Sequence, residues 1–566
     1  MKKAVSLMVI SMLAISGVIG CSKNNNEAAS PTNSPAPAAA TPAVDKSPIT
    51  LELSGLYSTF VQDNPVWKKI AEKTGVTMVV KDPVTGDRNQ KFDLWLASKG
   101  YPEDGFVIQK TTQLDKYAQA GAIIPLEGLI DKYGPNIKKQ FGKYYNLLKD
   151  PKDGHIYSIY SPNPVSETIA NAQGSFAIRY DVLKEAGYPQ IKTLDQLFDV
   201  LQKYYKAHPT SADGKSQIAW SGIGGNEGQM ILNAPSLAAS GNQEVGNGGI
   251  GLRVDNGVVS SNLVSDSNKK YYAFLNKLQM SGMLDPEYFT MTQDASVTKL
   301  AENRVLAGFF PSWFLPGSNN TIRASGKLDK MFAPLPITFE ENMKENHINS
   351  VTPTRVGWSW VVSSKSKHPE RVIQLYDYLF SDEGQILLNW GIEGKHYEVV
   401  NGKRQVKADY QAQMNADPNI VWKEMYTPFV GATFAMSAGV KLGDGDYAAT
   451  VTRDSVNKNY DEMTKEVLSK YGKELWADFL PKVEFIPGYV ATLSVPDEIK
   501  SENAKVQSIW LKESPKIIYA KSLDEFNKQW DDYKAQMDKA GLPKVVDAMN
   551  KAWKEYTDVY DKAIGK

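Results

Sequence analysis

The segment Ile49–Val80 reads as strand, helix, strand, an order that commits a chain to parallel strands covered by helices. Ile49–Ser54 is a short strand followed by Gly55. Asn64 suits a helix cap, Pro65 the first turn and Gly75 the exit, and Trp67, Ile70 and Ala71 share one face. Val76–Val80 is the returning strand. Helix Asn89–Ser98, strand Gly105–Ile108 and helices near Gln113–Gln119 and Leu126–Lys132 continue the alternation. Arg179–Ala186 reads as helix, and Thr193 with Gln196 forms a capping box opening another to about Lys206. Helices Lys269–Met280 and Val297–Asn303, strands Val305–Phe310 and Val356–Ser363, and helix His368–Phe380 follow. At the end, Ser522 and Glu525 cap a helix striped by Phe526, Trp530, Tyr533 and Met537. Pro543 opens the last helix, with Val546, Met549, Trp553 and Tyr556 expected to face inward.

The first residues read as an address. Lys2 and Lys3 precede the apolar run Ala4–Ile15, which is too short to span a bilayer. Val18-Ile19-Gly20-Cys21 then resembles the lipobox of bacterial lipoproteins, which implies removal of residues 1–20 and lipidation of Cys21. Residues 21–47 are polar and rich in Pro and Ala, the composition of a disordered tether. Extended at ~3.1 Å per residue, such a tether reaches about 80 Å. The expected location is the extracytoplasmic face of the cell membrane, held there by an acyl anchor alone.

Composition narrows the chemistry. The chain has 64 basic and 64 acidic residues, 5 His and 1 Cys. Charge balance removes the field that draws proteins to nucleic acid. A single cysteine excludes an intramolecular disulfide, a CxxC pair and a Cys-rich zinc site. The histidines form no HxxxH pair. No GxxxxGK[ST], HExxH or GxSxG occurs, so no cofactor and no metal is expected. Gly246–Gly251 spells GxGxxG, but no strand precedes it and Leu252–Val259 looks like strand, so it reads as a turn-rich loop. Asp444-Gly445-Asp446 hints at a calcium loop, yet Ala449 stands where an EF-hand needs glycine. Carboxylates are plentiful, and no pair is singled out for glycosidase chemistry.

Several segments carry a resemblance. Phe176–Gly187, followed by Pro189 and Thr193–Leu197, resembles the element that opens the second lobe of the solute-binding proteins of ABC importers. Val356–Val362, Ser366–Glu370 and Phe380–Gln385 resemble the strand and helix returning to the first lobe. Trp390-Gly391-Ile392-Glu393-Gly394-Lys395-His396-Tyr397 is similar to a motif of the large, lipoprotein-type branch of family 1 extracellular solute-binding proteins, which is linked to oligosaccharide uptake. Leu523–Tyr556 matches that branch too. The resemblance covers the chain after Ser47. It implies an α/β, two-lobed periplasmic-binding-protein-like fold of type II, with discontinuous lobes closing over ligand in an interlobe cleft. The expected lobes are 48–165 with 356–440, and 166–355 with 441–566. Relatives that bind acidic polysaccharide carry an acidic calcium loop after the second-lobe opening helix. Here His208–Gln217 offers only Asp213, too few carboxylates for a calcium cage.

Sugars present apolar faces and polar rims, so their sites pair aromatic platforms with hydrogen-bonding side chains. The resemblance places Trp313, at the end of Gly308–Trp313, against the cleft, with interlobe core as the alternative. Trp358 and Trp360 share one face of a strand. One facing the cleft and one in the core is the plain outcome, with Trp358 the better cleft candidate. Arg355 beside them suits a hydroxyl or carboxylate, or an ordinary salt bridge. Tyr57 and Gln109 follow strands at the carboxyl end, where α/β sheets bind ligands. Asn226 and Glu227 sit in the Gly-rich loop after Trp220. Trp390, Trp422 and Tyr426 are weaker cleft candidates, each fitting the core better. The resulting expectation is a monomeric, non-enzymatic protein that captures an oligosaccharide and passes it to ABC permease subunits. The alternatives are a glycan-active enzyme of the same compartment, or a binding protein for peptide or another non-sugar solute.

Overall fold

The structure, a computed structural model, describes residues 45–566 apart from 55–60, 62, 81–87, 110–112, 151, 163–164, 170–173, 212, 224–228, 242–250, 256, 344–349, 352–357, 418, 428–433, 481–483 and 486–494. The signal segment with Cys21, most of the tether, residues 246–250 of the GxGxxG loop, and Tyr57, Asn226, Glu227 and Arg355 lie outside the described residues.

The opening unit forms as its residues dictate. β1 (Ile49–Ser54) leads to α1 (Pro65–Thr74), then β2 (Val76–Val80). Asn64 Oδ1 accepts the Trp67 N–H at 2.7 Å, and Gly75 closes the helix at φ 73°. An added Cβ at Gly75 would stand 2.3 Å from the Lys46 carbonyl oxygen, so this position needs glycine both for its φ and for the close approach. Replacing Asn64 by alanine is expected to lower stability by about 1 kcal/mol, measured by urea denaturation, because the first turn loses its acceptor.

β1 lies parallel to both β2 and β3 (Gly105–Gln109). In the other half of the chain, β4 (Gly174–Arg179) and β5 (Ile218–Ser221) are followed by a hairpin of β6 (Leu252–Asp255) and β7 (Val258–Ser261). β8 (Val305–Pro311) and β9 (Phe332–Leu335) complete the second sheet, whose order is β5-β8-β4-β9. β4 is antiparallel to β8 and β9, and β5 is parallel to β8. The chain returns through β10 (Ser350–Val351) to β11 (Trp358–Val362), which pairs antiparallel with β3 from Trp358↔Gln109 to Val362↔Gly105. The first sheet is therefore β2-β1-β3-β11. A hairpin of β12 (Tyr397–Val400) and β13 (Lys403–Val406) follows, and β14 (Glu484–Phe485) runs parallel to β10.

Each sheet organises its own core from two stretches of chain. One core draws on Leu51–Tyr160 and Trp360–Ala435, with an aromatic annex around Phe92, Trp95, Phe106 and Tyr117. The other draws on Phe176–Ile337 and Val467–Trp553. The fold is thus α/β and two-lobed. Where the chain crosses, Val165 packs with Met436, Val440, Leu442 and Ala448, and the Ser166 N–H donates to Gly439 O at 3.1 Å. The last helices, Lys500–Ile518, Leu523–Ala540 and Leu542–Ala563, cover the second core. Trp510 Nε1 donates to the Tyr272 hydroxyl at 2.9 Å, and the Tyr533 hydroxyl donates to Leu263 O at 3.2 Å.

Three local readings change. β4 extends through Arg179, because the ladder with β9 holds Phe176–Arg179 extended and helix begins only at Tyr180. The final helix buries Val545 and Tyr560, with Val546 and Tyr556 only partly covered. Leu252–Val259 is not one strand but a tight hairpin, β6 and β7.

Candidate ligand-binding site

Strand direction defines one edge on each sheet. In the first lobe, β1 and β3 end at Ser54 and Gln109, and antiparallel β11 begins there at Trp358. In the second, β5 and β8 end at Ser221 and Pro311, where β4 begins at Gly174. The chain passes between lobes into the starts of β4 and β11. Both carboxyl edges therefore flank the crossover, the position where open α/β sheets accept ligands.

Burial sorts the twelve tryptophans. Nine are buried: Trp67, Trp95, Trp220, Trp360, Trp390, Trp476, Trp510, Trp530 and Trp553. Trp313 is 56% exposed, and Trp358 and Trp422 are half-buried. A large aromatic left open is more informative than one buried, because burial is its default.

Trp313 follows β8 directly. Gly308 lets β8 lie close to β5, since a Cβ there would meet Ser221 O at 2.4 Å. After Pro311 the Phe314 N–H donates back to Pro311 O at 3.0 Å, and this turn projects Trp313 outward. Its ring meets Phe314 edge-on, centroids 6.1 Å apart at 81°, and Phe314 stacks on buried Phe310. The indole is thus anchored from behind and open in front.

On the opposite lobe, Trp358 pairs across the ladder with Gln109 and packs 6.3 Å from Phe92. Trp360, the weaker of the two cleft candidates, takes the core alternative. It is fully buried against Tyr376 and Phe434, at 5.8 and 5.9 Å, so it builds the first core. Both tryptophans share a strand face, but only Trp358 sits at its rim.

Two features had no clear sequence signal. Beneath the end of β5, Ser221 Oγ donates to Asp285 at 2.7 Å, and Lys299 Nζ lies 2.8 Å from the same buried carboxylate. On the first lobe, Trp422 rests on Tyr426 at 4.9 Å and 87°. Trp422 and Tyr426, the weaker cleft candidates, are both half-buried. Trp390 is core, its Nε1 donating to Tyr447 O at 3.0 Å.

No group of three or more His, Cys, Asp or Glu suited to a metal occurs among the described residues. In the stretch His208–Gln217, Asp213 accepts from Ser211 Oγ and Lys215 pairs with Glu302 at 2.7 Å. Asp444 and Asp446 are engaged by Arg404. No described helix is long and apolar enough to cross a membrane.

A sequence model of the family described as bacterial extracellular solute-binding protein matches residues 57–386, more than half of the chain. The chain belongs to this family. Its members are solute-binding proteins rather than enzymes. This solute-binding protein is 24% identical over 436 residues to the fructooligosaccharide ABC transporter substrate-binding protein FusA of Streptococcus pneumoniae, covering 76% of this chain and 75% of FusA. It is 22% identical to the lipoprotein LipO of Bacillus subtilis, over 60% of this chain and 65% of LipO, just under two thirds of that protein. Among solved structures, FusA in complex with kestose superposes with a TM-score of 0.64 at 21% identity, covering 90% of this chain and 100% of FusA. A human-milk-oligosaccharide-binding protein of Bifidobacterium longum infantis gives 0.64 at 19% identity, covering 91% and 100%. These likenesses agree with the two-lobed α/β fold of the solute-binding protein.

Proposed function

We propose that this solute-binding protein captures an oligosaccharide between its lobes and delivers it to the permease subunits of an ABC importer. The observation that carries the reading is Trp313, an anchored indole more than half exposed on the second lobe's carboxyl edge. An apolar platform with a polar rim is what a sugar ring requires. Gln109 and Trp358 supply a hydrogen-bonding amide and a second ring from the first lobe. Tyr57, Arg355, Asn226 and Glu227 complete the proposed contact set. The oligosaccharide ligands named for FusA and the human-milk-oligosaccharide-binding protein support the same ligand class.

The two cores support lobes of 48–165 with 356–440, and 166–355 with 441–566. Ligand touching both edges stabilises the closed arrangement, which the permease reads. No covalent step is involved, and the protein acts as a monomer. Cys21 carries the lipid that holds it at the extracytoplasmic face of the membrane, a reading supported by the likeness to LipO.

Tryptophan emission tests the proposal. A panel of neutral oligosaccharides and peptides is titrated into the protein, and micromolar saccharide is expected to shift the emission, with no product released. A response to peptide alone, or turnover of any glycan, overturns it.

A further inference from the structure

We infer that Trp422, backed by Tyr426, is a second sugar-stacking position, supplied by the first lobe, that engages units of a longer ligand away from Trp358. The inference rests on the proposed saccharide function and adds a subsite to it.

The place of Trp422 follows from α1. Its exit, Gly75, accepts the Ile49 N–H at 2.9 Å, so α1 ends beside the start of β1. Its cap, Asn64, therefore lies at the level of the β1 carboxyl end. Asn64 Nδ2 donates to Tyr426 O at 3.0 Å, which brings Tyr426 to that same edge across a sequence separation of 362. Trp422 then stacks edge-on against Tyr426. Trp313 and Trp358 stand on the two carboxyl edges flanking the crossover, and Trp422 is tied through Tyr426 to the first lobe's edge.

The segment carrying Trp422, Ile420–Glu424, is held from outside. Glu424 Oε2 lies 3.4 Å from His396 Nε2 and 3.4 Å from Lys395 Nζ. His396 Nδ1 accepts the Ile392 N–H at 2.9 Å, which leaves the ring proton on Nε2, facing Glu424. The ring also packs on Tyr410 at 4.8 Å. A platform fixed before binding loses little freedom when ligand arrives. The Trp390–Tyr397 motif thus has a structural task, through His396 and Lys395, in fixing this segment.

Geometry also sets the ligand's length. The sheet order β2-β1-β3-β11 places one strand between β1 and β11. Two strand spacings make about 10 Å between the Trp358 position and the β1 end. Stacking contacts reach only about 4 Å. One sugar ring cannot cover both, so a ligand using Trp422 and Trp358 together needs several units.

The test uses the full chain with two size-graded neutral series, inulin-type fructooligosaccharides and maltooligosaccharides, each of two to six units. Binding is measured by calorimetry for wild type, Trp422→Ala and Trp422→Phe, with melting temperature as the folding control. Trp422→Ala is expected to weaken binding about tenfold for ligands of four units or more and less than twofold for two units, with Trp422→Phe near wild type. Equal losses at every length, or no loss at any length, overturn the subsite while the saccharide function stands. Wild-type protein that binds neither series but binds a peptide overturns the function itself, and the subsite with it.

Discussion

Replacing Trp313 by alanine is expected to lower saccharide affinity about a hundredfold, a loss of about 2.7 kcal/mol, while folding stability stays within about 0.5 kcal/mol of wild type. The two effects separate because the ring is 56% exposed, so truncation removes little burial. Phe314, which is buried and stacked on Phe310, keeps the turn in place without it. A large aromatic in a desolvated contact is the kind of residue that dominates binding energy. Trp313→Phe should recover much of the affinity, since a smaller ring still offers a face. Calorimetric titration with a saccharide recognised by the wild type checks the first number, and urea denaturation the second. Unchanged affinity in Trp313→Ala contradicts the assignment, and a large stability loss shows the ring to be structural.

Replacing Arg179 by methionine is expected to destabilise the second lobe by about 3–5 kcal/mol at pH 7, because it breaks a buried charge network from one side. Arg179 is 1% exposed. Its guanidinium forks onto Asp181 at 2.7 and 2.8 Å and donates to Asn303 O at 2.6 Å. Asp181 also accepts from Lys330 Nζ and the Tyr204 hydroxyl, both at 2.6 Å. The network ties the end of β4 to neighbouring parts of the lobe, and methionine fills the volume but satisfies none of these groups.

The same network sets a pH dependence. Burial alone would raise the Asp181 pKa, but hydrogen bonds and charge from Arg179, with help from Lys330 and Tyr204, outweigh it and hold the carboxyl below its usual range. A lowered folded value stabilises the native state fully above the unfolded value, about 3.9, and that contribution is lost as pH falls through the folded value. Wild-type stability should therefore fall on acidification below about pH 4, and Arg179→Met should flatten that fall as well as lower the plateau. Denaturation curves between pH 7 and pH 2 check both. A loss under about 1 kcal/mol at pH 7 is incompatible with a network of this kind.

What the sequence revealed was local or repetitive. Asn64, Pro65 and Gly75 mark α1 by rules that operate within one turn, and all three act as expected. Thr193 with Gln196 forms a full capping box for the same reason. Lys500–Ile518 is a helix with Pro515 inside its last turn. The tertiary contacts of Trp510 and Ser514 with Tyr272 hold it through that position.

At the site, Trp313 was proposed from the resemblance, and the structure leaves it exposed just after its strand. Trp358 and Trp360 were separable only in part, since alternation gives them one face and only the surroundings distinguish rim from core. Trp422 stayed a weak candidate because a five-residue helix has no periodicity to show an exposed face. Its position is set by contacts between residues far apart in the chain, such as the Asn64–Tyr426 hydrogen bond and the Glu424–His396 pair. The Asp285–Lys299 pair was equally silent, because burial of a charge is a property of packing and not of spacing.

The saccharide function is tested most directly by calorimetric titration of the unlabelled wild-type chain with neutral oligosaccharides of two to six units. The expected result is saturable one-to-one binding at micromolar or lower concentration, with the saccharide recovered intact. Absence of heat with every saccharide, together with saturable binding of a peptide, would contradict it.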